Sequence, residues 1–189
     1  MMEDVVLLGL GANLFSSTGS PAAALRASLR AFGAQGLALR RLSRFWRTPA
    51  FPPGSGPDYV NAAAAVHSPM GAQDTLAALH RVETAMGRVR DGGRWGARVI
   101  DIDLLAMGDL VLPDAAEQDR WRALALPEQQ QLTPQRLILP HPRLQDRGFV
   151  LAPLAEIAPQ WRHPRTGKTV AAMLAALGPQ GLAGMTPIA

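Results

Sequence analysis

A chain of 189 residues with 48% apolar and 18% charged side chains is long enough to bury a substantial core, and one domain over residues 1–189 is the expectation. It is too apolar for a disordered segment, and with no cysteine it has no disulfide scaffold, thiol nucleophile or cysteine-ligated zinc or iron–sulfur site. The formal net charge is +4, and Lys168 is the sole lysine among 19 basic side chains, so the excess is arginine and points to anionic partners: nucleic acid or phosphorylated small molecules.

The opening MMEDVVLLGLG carries Glu3 and Asp4 where a secretory signal would carry basic residues, and its apolar run ends at Gly11. It reads as a first strand, Val5 to Leu10, and the expected location is the cytoplasm. Pro21 opens an alanine-rich helix to about Phe32, with Leu25 and Leu29 on one face. Leu37 to Arg47 alternates as a two-sided strand with a slip near Arg41. Thr48 to Asp58 holds four prolines and two glycines and is a loop.

Tyr59 to Val66 reads as a strand, and Gly71 to Arg88 as a helix with Leu76, Leu79, Val82 and Met86 inward. A glycine- and arginine-rich loop, Gly87 to Arg98, leads to a strand at Val99 to Met107 that looks central to the sheet. Pro113 to Pro134 is a polar excursion, partly helical around Trp121. A loop from Pro140 to Gly148 precedes helices at Phe149 to Ile157 and Thr169 to Leu177, and the uncharged tail Thr169 to Ala189 is too broken by glycine and proline to span a membrane. Strand, helix, strand, strand, helix, strand is the order of a ferredoxin-like α+β plait, a mainly antiparallel sheet with helices packed on it.

The sharpest local signal is Asp101-Ile102-Asp103 inside an apolar strand. Period-two alternation puts both carboxylates on one face, about 6 to 7 Å apart at Cα. Cations must face them, either arginines in structural ion pairs or Mg²⁺, which takes hard oxygen ligands and bridges to phosphate. Arg88, Arg90, Arg94 and Arg98 lie just before, among Gly87, Gly92, Gly93 and Gly96. Such a run is a solvated loop in the plain reading. Beside paired aspartates it is a phosphoryl-transfer constellation, with guanidinium forks on phosphate oxygens.

Two nucleotide motifs are incomplete. Gly167-Lys168-Thr169 ends like a phosphate-binding loop, but Arg162 stands at its earlier glycine position; Gly9 and Gly11 begin a dinucleotide fingerprint that Leu14 breaks. Tyr59 and Asn61 share a strand face and suit a flat heterocycle, or are a core aromatic and its neighbour. His141 either contacts phosphate or caps a loop, His80 lies three residues before Glu83, and His67 and His163 read as surface residues. Trp95 is the candidate for an aromatic lid.

In order along the chain, GLGANL at 9–14, FWRTPAF at 45–51, PDYVNAA at 57–63, GRVRDGGRWGARVIDIDLL at 87–105 and LPHPRLQDRGFVLAPLAEIAP at 139–159 resemble one family, the 6-hydroxymethyl-7,8-dihydropterin pyrophosphokinases of folate biosynthesis. The resemblance implies transfer of the terminal pyrophosphoryl group of ATP to the pterin hydroxymethyl oxygen, releasing AMP. It implies two Mg²⁺ ions on Asp101 and Asp103 and catalytic roles for Arg88 and Arg98. Arg90, Arg94, His141 and Arg147 would surround the ATP phosphates, and His80, Glu83, Leu104, Arg136 and Ile138 would lie along the nucleotide. Tyr59 and Phe149 would sandwich the pterin, Asn61 with backbone at Thr48, Ala50 and Phe51 would read its edge, and Trp95 would close over both ligands.

Departures from the family pattern fall at Ala12, Ala50, His80, Asp91 and Ala97, and the excursion from Pro113 to Pro134 is longer by about twenty residues, a length that is either functional or disordered. The expected partners are ATP and the pterin, with no nucleic acid or membrane, and the chain is expected to be a monomer. An RNA-binding plait is the rival from another class, but it calls for paired sheet aromatics that one tyrosine and five phenylalanines do not supply. A generic Mg²⁺-dependent phospho- or nucleotidyltransferase is the rival enzyme.

Overall fold

The computed structural model describes residues 5–50, 54, 56–88 and 98–188. Strand β1 (Val5–Ala12) runs through the middle of the sheet. It pairs antiparallel on one side with β4 (Tyr59–His67), from Val5↔His67 to Ala12↔Val60, and on the other with β5 (Asp101–Met107), where Gly9 faces Asp103 and Gly11 faces Asp101. The expected strand over 37–47 is split. β2 (Ala38–Leu42) and β3 (Trp46–Thr48) follow each other along the outer edge of β4, with a register shift between Leu39 and Arg41. Ser43 bridges the break: its N–H donates to Ala63 O and its Oγ accepts from Ala63 N, both at 2.9 Å. A two-residue strand, β6 (Thr186–Pro187), pairs with β3, and the order is β5-β1-β4-β3-β6 with every pairing antiparallel. The antiparallel α+β plait expected from element order is the architecture found.

Helices cover both faces. Helix α1 (Pro21–Ala31) starts at Ser20, whose hydroxyl accepts from Ala23 N, and with α2 (Ala72–Ala85) it packs Leu25, Leu79 and Val82 onto Val6, Leu8, Leu10, Ile102 and Leu104. The excursion folds into α3 (Ala115–Ala123) and α4 (Leu126–Gln131). Helices α5 (Gly148–Ile157) and α6 (Val170–Leu177) close the other face, packing Val150, Leu151, Leu154, Val170 and Met173 against Leu7, Ala63, Ala65 and Leu105. Burial on both faces is why β1 and β4 read as nearly continuous apolar runs. Among the described residues no helix is long and apolar enough to cross a membrane.

Two expectations fail. β5 is an edge strand, not a central one. It reads as central because its outer edge is covered: Glu83 Oε1 accepts from Ile102 N at 2.7 Å, and His141 N donates to Leu105 O at 2.7 Å. His163 is not a surface residue but fully buried, against Trp161.

Candidate functional site

The carboxylates of Asp101 and Asp103 sit on the α5/α6 face of the sheet, at positions alternating with the buried Leu105. Their cross-strand neighbours on β1 are Gly11 and Gly9. Gly11 in turn faces Asn61, and a Cβ on Gly11 would lie 2.6 Å from Asn61 Oδ1, so a larger residue there would push the Asn61 carboxamide out of its place in the row Asp101, Gly11, Asn61.

Four charges lock together at the start of β5. Arg88 Nη1 donates to Glu83 Oε1 at 2.5 Å and also to Asp101 Oδ1, while Arg98 Nη1 donates to Asp101 Oδ2. Glu83 is 1% exposed and serves both the Ile102 amide and Arg88. Burial works against the Arg88 charge, but Asp101 and Glu83 outweigh it and hold the guanidinium pKa above its ordinary value. Among the described residues Asp103 has no such close ion pair. Burial and the neighbouring Asp101 push its pKa up to about 7, against the opposing pull of Arg147 and Arg98.

Asn13 positions Arg98: its Oδ1 accepts from Arg98 N at 2.7 Å, and its Nδ2 donates to Pro57 O at 3.1 Å. The amides of Asn13 and Leu14 both donate to Arg98 O. Asn13 thus ties the end of β1 to the segments entering β4 and β5, a role that its place in the GLGANL block did not reveal.

The segment between β5 and α5 brings His141 and Arg147 to the same place. His141 Nδ1 accepts from Arg143 N at 3.1 Å, and burial with nearby Arg147 lowers its pKa to about 3. The imidazole is therefore neutral at pH 7 with its proton on Nε2, a donor suited to a phosphate oxygen. Arg147 precedes α5 and lies over the Phe149 ring at 5.6 Å.

A cavity of about 610 Å³ joins these groups. It collects Arg88, Arg98, Asp101, Asp103, His141 and Arg147 at its charged part, and it also takes in His80, Glu83, Leu104, Arg136 and Ile138. The described pterin-side candidates, Thr48, Ala50, Tyr59, Asn61 and Phe149, are not part of its lining. Asn61 Nδ2 donates to Thr48 Oγ1 at 2.7 Å, both residues being buried on the sheet, and Ala50 is buried just beyond. Tyr59 is half-buried on the same strand as Asn61, and burial raises its phenol pKa, with Arg98 and Asp101 close enough to act on it. Phe149 is reached through Arg147. Phe51, Arg90, Arg94 and Trp95, with the departures Asp91 and Ala97, lie outside the described residues.

The donor set suits Mg²⁺. Two hard carboxylates share one strand face, and one of them, Asp103, is disfavoured as an anion unless a cation joins it. Among the described residues no third acidic or histidine side chain completes a protein-only cage. Mg²⁺ is usually held by one or two carboxylates with the remaining positions filled by water and substrate phosphate.

The model of the family described as 7,8-dihydro-6-hydroxymethylpterin-pyrophosphokinase matches residues 7–159. The chain belongs to this family. It is 36% identical to the 2-amino-4-hydroxy-6-hydroxymethyldihydropteridine pyrophosphokinase of Methylorubrum extorquens over 176 residues, 93% of this chain and 94% of that protein. It is 37% identical to the enzyme of the same name from Synechocystis sp. over 135 residues, which is 71% of this chain and 58% of that protein. Among solved structures, an HPPK-DHPS in complex with substrates aligns with TM-score 0.64 at 12% identity, covering 96% of this chain. Wild-type Plasmodium falciparum HPPK-DHPS aligns with TM-score 0.61 at 12% identity, covering 98%. The chain spans less than half of those bifunctional chains, 45% and 47%, and the likeness establishes a shared fold.

Proposed function

We propose that this chain is a single-domain enzyme that transfers the pyrophosphoryl group of ATP to 6-hydroxymethyl-7,8-dihydropterin in folate biosynthesis. The observation that carries the reading is the convergence of Asp101, Asp103, Arg88, Arg98, His141 and Arg147 on one cavity, in a chain whose family acts in that reaction. The pterin hydroxymethyl oxygen bonds to the β-phosphorus, the bond from that phosphorus to the oxygen bridging to the α-phosphorus breaks, AMP leaves with that oxygen, and the hydroxyl proton is released.

The protein needs to align and to stabilise charge. Asp101 and Asp103 would hold two Mg²⁺ ions, which supply charge neutralisation on the triphosphate. Arg88 and Arg98 already converge on Asp101 and present guanidinium forks where the polyphosphate would lie. Neutral His141 donates through Nε2, and Arg147 adds positive charge from the start of α5. Asn61 and Thr48 present a polar edge beside Tyr59, suited to a heterocycle's hydrogen-bonding rim, with Phe149 as its other face. Arg90, Arg94 and Trp95 are assigned to the phosphates and to closure over the ligands, and Phe51 with Ala50 to the pterin edge. Acting alone in the cytoplasm, without nucleic acid, fits such an enzyme.

Incubation with ATP, Mg²⁺ and hydroxymethyldihydropterin tests this directly. AMP and the pterin diphosphate are expected in equal amounts. Release of ADP would mark a simple kinase and release of pyrophosphate a nucleotidyltransferase, and either would overturn the assignment.

A further inference from the structure

The excursion between β5 and His141 is fastened to the site. Arg143, 7% exposed, donates from Nη2 to Trp121 O at 2.5 Å and from Nη1 to Arg122 O at 3.3 Å, holding the end of α3 to the segment that carries His141 and Arg147. Gln118 Nε2 donates to Pro140 O at 3.1 Å from a fully buried position. Gln129 Nε2 donates to Leu124 O at 2.8 Å and fixes the turn between α3 and α4. An excursion tethered in this way is a wall, not a free loop.

What the wall offers is apolar. Trp121, Leu124 and Leu132 all line the 610 Å³ cavity. Leu132 is 45% exposed and also borders an adjoining cavity of about 420 Å³. A large apolar side chain held open to a ligand-sized space suits contact with a flat, poorly hydrated group. The cavity's acidic groups sort to one part: Glu83, the last of the α2 residues in its lining, reaches Arg88 and the start of β5, where Asp101 and Asp103 lie. Gln73 stands ten residues earlier on the same helix, about 15 Å away. Between them α2 presents Leu76 and His80. A nucleoside triphosphate whose phosphates occupy the part that holds Asp101 and Asp103 must extend its base away from it, toward the part where Arg136 and the carbonyl-bound Arg143 stand among the apolar side chains of the inserted segment.

We propose that the inserted segment is part of the nucleotide site, with Leu124 and Leu132, backed by Trp121, forming an apolar wall for the base of ATP. The proposal rests on the ATP reading above and adds to it the residues that set affinity for the base.

Calorimetric titration separates the two. Full-length wild type and Leu132→Ser are each titrated with Mg·ATP and with Mg·tripolyphosphate, which carries the charge but no base, and Leu132→Met serves as the conservative control. Because Leu132 is exposed, the serine variant keeps its fold, checked by circular dichroism. The expected result is an ATP dissociation constant raised about five- to tenfold in Leu132→Ser and restored in Leu132→Met, with tripolyphosphate binding changed less than about twofold. Unchanged ATP affinity in Leu132→Ser, or equal losses for both ligands, overturns the wall. A wild-type chain that binds tripolyphosphate as tightly as ATP also overturns it while leaving the phosphate site standing. A wild type that binds neither overturns the ATP reading and this inference together.

Discussion

Arginine meets carboxylate at several places among the described residues, and two of these clusters obey different physics. At the start of β5, Arg88 and Arg98 converge on Asp101, with Glu83 beneath them at 1% exposure and bonded to the backbone of the strand. On α3, Glu117 pairs with Arg120 at 2.6 Å, and Asp119 pairs with Arg122 at 2.9 Å and Arg165 at 2.6 Å, all in contact with solvent. The first cluster is drawn together from α2, the segment before β5 and β5 itself. Removing one of its members leaves the remaining charges less well compensated in a low-dielectric recess. The second is local apart from Arg165, is screened by salt, and its members can turn to water when a partner is lost. Similar pairs thus belong to the proposed site in one region and form a clasp on the inserted segment in the other.

Breaking the first cluster at its carboxylates gives the largest effect expected. Asp101→Asn and Asp103→Asn should each lower kcat by about a thousandfold or more while the far-ultraviolet circular dichroism stays native, because each removes charge that faces the polyphosphate rather than core volume. Wild-type turnover in either variant would remove these residues from the reaction. Next comes Glu83→Gln, which keeps an acceptor for the Ile102 amide but removes one of the two counter-charges of Arg88, Asp101 being the other. A loss of about 2 kcal/mol in chemical denaturation is expected, with activity falling alongside. A stability unchanged by this substitution would place the cluster in the same solvated class as the pairs on α3.

How much of this was legible in the residues depends on whether a partner leaves a trace in sequence. The paired aspartates, the tyrosine and asparagine on one strand face, and the order of strands and helices follow from periodicity, which the backbone enforces. The edge position of β5 did not, because a strand with two buried faces reads alike in the middle or at the rim, and what covers its rim is one carboxylate and one backbone amide from distant segments. Arg143 gives no signal as an anchor because its partners on the inserted segment are the carbonyls of Trp121 and Arg122, which any residue carries. His163 looked exposed among polar neighbours, and its burial depends on how the chain turns between α5 and α6 and packs against Trp161.

That histidine offers a test of smaller size, on the solvent-side cluster. Burial, with Arg122 adding to it against the opposing pull of Asp119, lowers the His163 pKa to about 4. Its Nε2 has no hydrogen-bond partner among the described residues. The unfolded chain takes up the proton near pH 6.5 and the folded one only near 4, so across that window the unfolded state binds more protons. This contribution to stability is present above pH 6.5, is lost progressively as the pH falls, and levels off below about 4. The melting temperature should therefore drop between pH 6.5 and 4, and His163→Phe should flatten that slope relative to wild type. Parallel profiles for the two proteins would show that His163 titrates normally.

The smallest effect belongs to Asp119→Asn. Hydrogen bonds from Arg165 and Arg122 hold the Asp119 carboxyl well below the usual carboxylate range, which taken alone suggests a strong interaction. The same groups lie at the surface, where water replaces each lost contact and salt weakens the remainder. Asparagine also keeps an acceptor for one of the two guanidinium groups. The melting temperature should move by no more than about 2 °C at physiological salt, with the difference shrinking further as salt is added. kcat should be unchanged, because Arg143 and Gln118 still hold α3 against the segment carrying His141. A marked fall in kcat for Asp119→Asn would mean that the clasp through Arg165 also sets the position of that segment, and the two clusters would then be mechanically joined through α3.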